Sequence, residues 1–374
     1  MSPRVLFTAS TPSHILNFHL PYLRRFRELG WEVDMACGGP VGDIPGADRV
    51  ISLPFRKKIT APANFRATAI LRREMKRTPY DLIITHTSLA AFFTRLALPR
   101  NGPRPQVVNM AHGYLFDLQN PGFKDKLLLR AEVMTAGRTD LVIAMNQVDF
   151  EIAQTHRLGA RVEYVPGVGV DFTRLDDALA QDRQTLRQNL GLSENEFVLL
   201  YAAEFSQRKN QALLLRALAQ LPENVTLVLA GQGGSLETCK TLARKLGVEG
   251  RVRFPGQVAH MGPWYAAADA AVSSSRSEGL PFNIMEAMYA ALPIVASAVK
   301  GHTDLLIPGE SGLLYPADDP AACAGAVHRL LEGPDLCASL GQAAHQAALD
   351  YQLDVVLPQV MDRYLSVVKI PAFV

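Results

Sequence analysis

The chain has 374 residues, of which 48% are apolar and 20% charged, and its formal net charge is +2 at pH 7. This composition is ordinary for a globular α/β protein and argues against a disordered or repetitive chain. The length exceeds what one hydrophobic core usually spans, so we expect two domains of similar size. The four cysteines lie far apart without C-x-x-C spacing, which argues against a zinc site and a disulfide framework.

Short β-rich runs alternate with helical patterns in the first half of the chain. We predict strands at residues 4–9, 32–36, 49–53, 81–85, 107–111, 141–144 and 162–165. Helical patterns between them include residues 15–29, 89–98 and 124–136. This alternation predicts a parallel sheet covered by helices.

The same pattern begins again in the second half. Predicted strands there are residues 197–203, 225–230, 252–254, 270–274 and 294–297. We therefore predict two Rossmann-like, doubly wound domains. The N-terminal domain is residues 1–170, the C-terminal domain is 171–352, and a C-terminal helix at 353–369 is a candidate for packing back on the first. The stretch 166–182 has the glycines and proline of a linker.

Ligands of open parallel sheets bind beyond the carboxyl ends of the strands, so two such domains facing each other would enclose a cleft.

The longest apolar runs are too short to span a bilayer, and the opening run MSPRVLFTAS is too quickly broken for a signal peptide. We therefore expect a cytosolic protein.

The charge is divided unevenly along the chain. Residues 1–170 carry 22 Lys and Arg against 14 Asp and Glu, or +8, and the remainder carries 16 against 22, or −6. Residues 56–77 hold eight basic residues and one acid, with apolar residues interleaved. Such a segment is typical of a helix on an anionic membrane, here the inner face of the cytoplasmic membrane, and a solvated basic helix face is an equal alternative. No stacking pattern or helix-turn-helix signature indicates nucleic-acid binding.

Two glutamates, Glu278 and Glu286, lie in SEGLPFNIMEAMYAALPIVAS (residues 277–297). Glu278 follows a predicted strand and Glu286 lies in the helix after it, so both carboxylates could reach one ligand. The helix start offers N–H groups to an anion such as a diphosphate, and a carboxylate accepts two hydrogen bonds from neighbouring hydroxyls. The combination suits a nucleotide sugar. On spacing alone, a helix-capping Glu278 and a solvated Glu286 are the simpler interpretation.

The same stretch, followed by GHTDLLIPGESGLLYP, resembles the glutamate-x7-glutamate signature of the family-4 retaining glycosyltransferases, which have the GT-B fold. RVLFTASTPSHILNFHL, VVNMAHGYLF and AAEFSQRKNQALLLRAL are similar to other segments of that family. The closest resemblance is to the subgroup that builds capsular, exopolysaccharide or protein-linked glycans. It implies transfer of a hexose or N-acetylhexosamine from a nucleotide sugar, with UDP the favoured carrier, to a polyprenyl-diphosphate-linked glycan acceptor in bacterial surface glycan assembly.

The resemblance implies donor-binding roles in the second domain. Glu278 would contact hydroxyls of the donor sugar, Glu286 would bind the ribose, and backbone amides around Gly279 and Leu280 would face the diphosphate.

A basic pair neutralises the departing diphosphate in the family, and Lys209 matches one member. The other is commonly an arginine where this chain has Glu204. Arg208 is the candidate for the missing charge, with a solvated side chain as the alternative.

In the first domain, His112 matches the family histidine near the donor sugar, although a histidine after an apolar strand is more often structural. Ser13, His14 and His19 are candidate acceptor-side residues, and helix-start polarity is the alternative for the two histidines. The loop 11–14 lacks the glycine of many relatives, which places these acceptor-side assignments in question.

The implied catalytic residues are His112, Lys209 and Glu278. No residue fits a carboxylate nucleophile, and the resemblance implies same-face attack in which the departing phosphate oxygen takes the acceptor's proton. No D-x-D motif occurs, so we predict catalysis without a metal ion and without a cofactor.

Two other functions remain open at this point. A sugar-nucleotide epimerase would need acid and base carboxylates in the first domain, and a non-catalytic nucleotide-sugar sensor would bind the donor without turnover. The chain has neither G-x-G-x-x-G nor G-x-x-x-x-G-K-[ST], which argues against a dehydrogenase and a P-loop kinase.

Overall fold

The computed structural model describes residues 2–40, 42–116, 118 and 121–368. The chain divides into two compact units, Met1–Val168 with Asp354–Val374, and Gly169–Leu353. The division falls two residues before the boundary predicted at residue 170. Lys369, the predicted end of the C-terminal helix, lies outside the described residues.

The first unit contains one parallel sheet. Its strands are β1 (Arg4–Ala9), β2 (Glu32–Gly38), β3 (Arg49–Leu53), β4 (Leu82–His86), β5 (Gln106–Ala111), β6 (Leu141–Ala144) and β7 (Arg161–Tyr164). Their order in the sheet is β3-β2-β1-β4-β5-β6-β7, and every neighbouring pair is parallel. The central strands are buried along almost their whole length, as expected for a sheet covered on both faces.

Seven helices of the described chain accompany this sheet. They are α1 (Pro12–Phe18), α2 (Leu20–Glu28), α3 (Pro62–Arg77), α4 (Ser88–Ala97), α5 (Phe123–Ala136), α6 (Gln147–Thr155) and α16 (Leu353–Leu365). Helix α16 packs through Tyr364, whose ring centroid lies 5.9 Å from that of Tyr22 and whose hydroxyl donates to Met110 Sδ at 2.9 Å.

The helix predicted at residues 15–29 is divided in two at His19. Pro21 has no N–H and therefore cannot donate to the carbonyl four residues before it, so one helix ends at Phe18 and the next begins at Leu20. The junction residue His19 has φ −124° and ψ 0° and a fully buried side chain. The break thus places an imidazole inside the first unit.

The second unit repeats the parallel design. Its strands are β8 (Phe197–Ala202), β9 (Val225–Ala230), β10 (Val252–Gly256), β11 (Ala270–Ser273), β12 (Ile294–Ser297) and β13 (Leu313–Tyr315), in the order β10-β9-β8-β11-β12-β13. All five predicted strands are confirmed. The three-residue β13 escaped prediction because a run so short carries no periodicity.

Nine helices of the described chain belong to the second unit. They are α7 (Thr173–Leu179), α8 (Arg183–Asn189), α9 (Gln211–Leu218), α10 (Leu236–Lys245), α11 (Gly262–Ala267), α12 (Phe282–Tyr289), α13 (His302–Leu305), α14 (Pro320–Glu332) and α15 (Pro334–Ala348), with 3₁₀ turns at Glu249–Arg251 and Leu349–Tyr351. Helix α7 lies within the stretch 166–182, so the linker prediction was wrong for that segment. None of the helices in the described part of the chain combines the length and apolar character that a bilayer span requires.

Candidate active site

Two loops of the second unit meet at the carboxyl edge of its sheet. Strands β8 and β11 are neighbours, and the chain leaves them in opposite directions, toward β9 and toward β12. Such a reversal point is where open α/β sheets bind ligands. The Ser274 hydroxyl donates to the carbonyl of Lys209 at 3.0 Å, and the Arg276 N–H donates to the carbonyl of Arg208 at 2.8 Å. These bonds hold the loop after β8 against the loop after β11.

The Glu278 carboxylate binds both cations of the neighbouring loop. Lys209 Nζ lies 2.5 Å from its Oε1, and Arg208 donates from a terminal guanidinium nitrogen to its Oε2 at 2.8 Å. Burial raises the pKa of Glu278, but the charges of Lys209 and Arg208 outweigh that effect and hold the pKa at about 2. Burial lowers the pKa of Lys209, and the Arg208 charge adds to this. Arg208 is therefore ion-paired, whereas Glu204 at the family's usual arginine position is exposed.

Glu286 has partners of its own. Its Oε1 accepts a hydrogen bond from Arg174 of α7, and its Oε2 accepts one from the Tyr265 hydroxyl at 2.8 Å. Burial raises the pKa of Glu286, and the Arg174 charge and the Tyr265 hydrogen bond oppose that rise. The arrangement gives Glu286 a buried carboxylate with an organised set of donors, which is not the solvated helix position that spacing alone suggested.

Gly279 and Leu280 connect Glu278 to α12, which begins at Phe282. The N–H groups in the first turn of a helix have no partner within the helix and can bind an anion. Gly301 packs directly against this connection: a Cβ built there would lie 2.8 Å from Glu278 Cβ and 2.8 Å from the Gly279 carbonyl oxygen. Its φ of +85° also favours glycine. The backbone of Gly301 therefore defines one wall behind Glu278.

Histidines gather at the carboxyl edge of the first unit's sheet. His86 ends β4, His112 follows β5, and His14 lies in α1 just after β1. His86 Nδ1 lies 3.0 Å from His112 Nε2, and His19 Nε2 lies 3.3 Å from His14 Nε2. The fold thus brings the predicted candidates His14, His19 and His112 together. His86, which was not predicted, lies in the same cluster.

Two of the four imidazoles, those of His19 and His86, are fully buried, and those of His14 and His112 are partly exposed. Burial lowers the pKa of His14 to about 4. Burial, followed by neighbouring histidine charges, lowers the pKa values of His19, His86 and His112 well below 6.5. The residue after His86, Thr87, is held at φ +61° with its hydroxyl 2.6 Å from that of Ser10. A β-branched residue in this region is strained, and such strain is concentrated at functional sites.

Ser13 and the basic segment occupy exposed positions of the first unit. The Ser13 hydroxyl lies 3.1 Å from that of Thr11. All eight basic residues of 56–77 are exposed, whereas Leu71 is buried and Ile70 and Met75 pack on the core. Most of the interleaved apolar residues therefore anchor α3 to its own domain, whereas Phe65 and the basic side chains face outward.

Comparison with known proteins identifies the family. Residues 22–174 match Glycosyltransferase Family 4, and residues 182–347 match Glycosyl transferases group 1. The chain is 33% identical over 371 residues to the putative glycosyltransferase EpsD of Bacillus subtilis (strain 168), with 97% of each chain covered. The chain belongs to the family-4 glycosyltransferases. It is also 31% identical to D-inositol 3-phosphate glycosyltransferase 2 of Catenulispora acidiphila, covering 91% of this chain and 87% of that protein.

Solved structures agree on the fold of this glycosyltransferase, which is GT-B. Sucrose-phosphate synthase of Thermosynechococcus elongatus superposes with a TM-score of 0.80 at 21% identity, covering 97% of this chain and 98% of that one. Anabaena HepE in complex with UDP superposes with a TM-score of 0.76 at 22% identity, covering 98% of this chain and 100% of that one.

Sequence reasoning missed three residues at the transferase's candidate site. Arg174 stands in the stretch interpreted as a linker, and nothing local connects it or Tyr265 to Glu286. His86 carried a usable signal, because it ends the strand beside the one that precedes His112, and neighbouring parallel strands end at the same edge.

Proposed function

We propose that this glycosyltransferase moves a hexose or N-acetylhexosamine from a UDP-sugar, with retention of configuration, to a glycan acceptor carried on polyprenyl diphosphate. The observation that carries the donor assignment is the pairing of Glu278 with Lys209 and Arg208 at the carboxyl edge of β8 and β11. One carboxylate and two cations leave a net charge of +1, which attracts a diphosphate, and the same carboxylate can accept hydrogen bonds from sugar hydroxyls.

The residues divide the chemistry between them. Lys209 and Arg208 stabilise the negative charge that develops on the departing diphosphate, and the N–H groups of Gly279, Leu280 and the first turn of α12 add to this. Glu286, kept in place by Arg174 and Tyr265, accepts hydrogen bonds from the ribose. The role of His112 toward the donor sugar is assigned on the family resemblance alone.

We propose retention by same-face attack, without metal ion or cofactor. The departing phosphate oxygen takes the proton of the acceptor hydroxyl as the new glycosidic bond forms. Support comes from the resemblance and from the cationic pair, which supplies the charge stabilisation that a divalent cation would otherwise give.

The proposed acceptor side of the reaction involves residues of the first unit. Ser13 and His14 serve the acceptor directly, and the fully buried His19 acts through His14. The basic segment 56–77 contacts anionic lipid on the inner face of the membrane, where a polyprenyl carrier resides.

The deciding experiment is a panel of nucleotide sugars incubated with the enzyme in EDTA, scored for donor hydrolysis and for transfer to a short polyprenyl-diphosphate sugar. Glu286→Ala is compared with wild type, and Glu310→Ala, at an exposed position of the same unit, is the matched control. Turnover of one UDP-sugar that is lost only in Glu286→Ala supports the proposal. Isomerisation of the donor would favour an epimerase, and binding without turnover on any acceptor would favour a sensor.

A further inference from the structure

The histidine cluster of the first unit has the spacing of a metal site. His14, His19, His86 and His112 each bring one ring nitrogen within 4.8 Å of those of the others. Tetrahedral zinc with bonds of about 2.0–2.1 Å to nitrogen places neighbouring ligand atoms about 3.3–3.4 Å apart. The His19–His14 pair at 3.3 Å and the His86–His112 pair at 3.0 Å are spaced as two edges of such a site.

Hydrogen bonding alone does not account for this cluster. His19 and His86 are fully buried, yet His19 Nδ1 and His86 Nε2 have no hydrogen-bond partner among the described residues. The hydrogen bond that the structure gives each of these rings goes to another histidine. The facing nitrogens, His19 Nε2 and His86 Nδ1, therefore have only imidazole partners among the described residues, and no carboxylate or carbonyl competes with a metal ion for them.

The positions of the four rings suit a metal site. His86 and His112 stand at the ends of adjacent strands, and His19 is fixed at the break between α1 and α2. His14 and His112 are partly exposed, which gives an ion a route in from solvent. Sites built on rigid elements hold their ligands more accurately than sites on loops.

We propose that His14, His19, His86 and His112 form a binding site for a divalent transition-metal ion, with Zn²⁺ as the probe. Four imidazoles select zinc, copper or nickel over magnesium, calcium and manganese, which prefer oxygen ligands. The ion takes Nε2 of His14, His19 and His112 and Nδ1 of His86, and His19 and His86 then carry their protons on Nδ1 and Nε2.

The four histidines belong to the first unit, whereas the cationic pair belongs to the second. A Zn²⁺ ion held by the four histidines would occupy Nε2 of His112, so we expect Zn²⁺ to inhibit transfer. That expectation rests on the proposed function, whereas metal binding does not.

The test uses full-length protein without a histidine tag, stripped of metal and titrated with Zn²⁺ in the absence of donor and acceptor. His14→Gln and His86→Gln are compared with His260→Gln, an exposed histidine of the second unit. We expect one Zn²⁺ per chain in wild type and His260→Gln, and at least tenfold weaker binding in both cluster variants. Cobalt substituted for zinc should give the visible absorption of tetrahedral coordination in wild type and His260→Gln, and this absorption should be lost in both cluster variants.

The partly exposed His14 makes His14→Gln the safer variant if His86→Gln does not fold. Absence of saturable Zn²⁺ binding would overturn the proposal, as would equal affinity in wild type and His14→Gln. Because the transfer assay runs in EDTA and the metal titration runs without substrates, failure of one proposal is distinguished from failure of the other.

Discussion

Lys209 Nζ lies 2.5 Å from Glu278 Oε1, and both side chains are largely buried. A buried carboxylate is costly unless it is paired, and here the pairing cation is the group that the proposed mechanism needs for the leaving diphosphate. Without donor, Glu278 therefore holds Lys209 in position. In the proposed mechanism, an arriving diphosphate competes for the same ammonium group and leaves Glu278 available to sugar hydroxyls.

Replacing Lys209 should chiefly reduce the rate of the chemical step. In Lys209→Ala the departing diphosphate loses its buried cation, and kcat should fall by about 10²–10³. Steady-state kinetics with the preferred UDP-sugar provide the measurement. Lys240→Ala, which removes a partly exposed lysine paired with Glu237 on α10, is the matched control. A change confined to KM would contradict the assignment.

Acid should weaken the fold through Glu278. Its pKa in the folded protein is about 2, below the ordinary 4.5, so its stabilising contribution is complete above about pH 4.5 and is lost as the pH falls toward 2. Urea unfolding of wild type and Glu278→Gln should show their stability difference shrinking by about 2 kcal/mol between pH 7 and pH 3. A constant difference over that range would refute the ionised pair. Glu286 has a raised pKa, so its contribution to stability changes with pH in the opposite direction. Because both proteins contain Glu286, that contribution cancels in the stability difference between them.

Arg174 should control the pH at which donor binding fails. It opposes the burial that raises the pKa of Glu286, so Arg174→Ala raises that pKa further and protonates the carboxylate at a higher pH. The acid limb of donor affinity should therefore move upward in pH, with the largest effect on KM. Donor titrations across pH would measure this, with Arg216→Ala, an exposed arginine of α9, as control. Identical pH profiles for Arg174→Ala and wild type would show that Arg174 does not tune Glu286.

The sequence predicts the sheets well and the contacts within the sites less completely. Strand runs follow from local apolar patterns, and Glu278 and Lys209 follow from a motif. The Arg174 contact with Glu286 joins residues 112 positions apart, which no local pattern encodes. The helix break at His19 could have been predicted, because Pro21 indicates a break there. The apolar periodicity of residues 15–29 obscured it.

Gly301→Ala should disturb the wall behind Glu278. The added Cβ meets the Glu278 Cβ and the Gly279 carbonyl at 2.8 Å and requires φ +85°, so we expect a loss of about 2–4 kcal/mol and a lower kcat. Gly325→Ala in α14 is the control, since nothing lies within 4 Å of its added Cβ and helical alanine should stabilise by about 0.5–1 kcal/mol. Thermal unfolding and donor turnover measure both variants. Unchanged stability and turnover in Gly301→Ala would mean that the loop relaxes without consequence for Glu278.

The exposed basic face of α3 should bind anionic membranes by charge. Arg66, Arg73 and Lys76 are exposed, and each basic group near an anionic surface contributes about 1 kcal/mol, so the triple glutamine variant should bind phosphatidylglycerol vesicles roughly hundredfold less tightly. Cosedimentation with phosphatidylglycerol and phosphatidylcholine vesicles tests this, with glutamines at the exposed Arg216, Arg244 and Lys245 as a control of equal charge change. Because most apolar residues of residues 56–77 pack inward, binding should also weaken steeply with salt. Equal loss in both triple variants would indicate a nonspecific effect of net charge, and salt-insensitive binding would indicate insertion of apolar side chains instead.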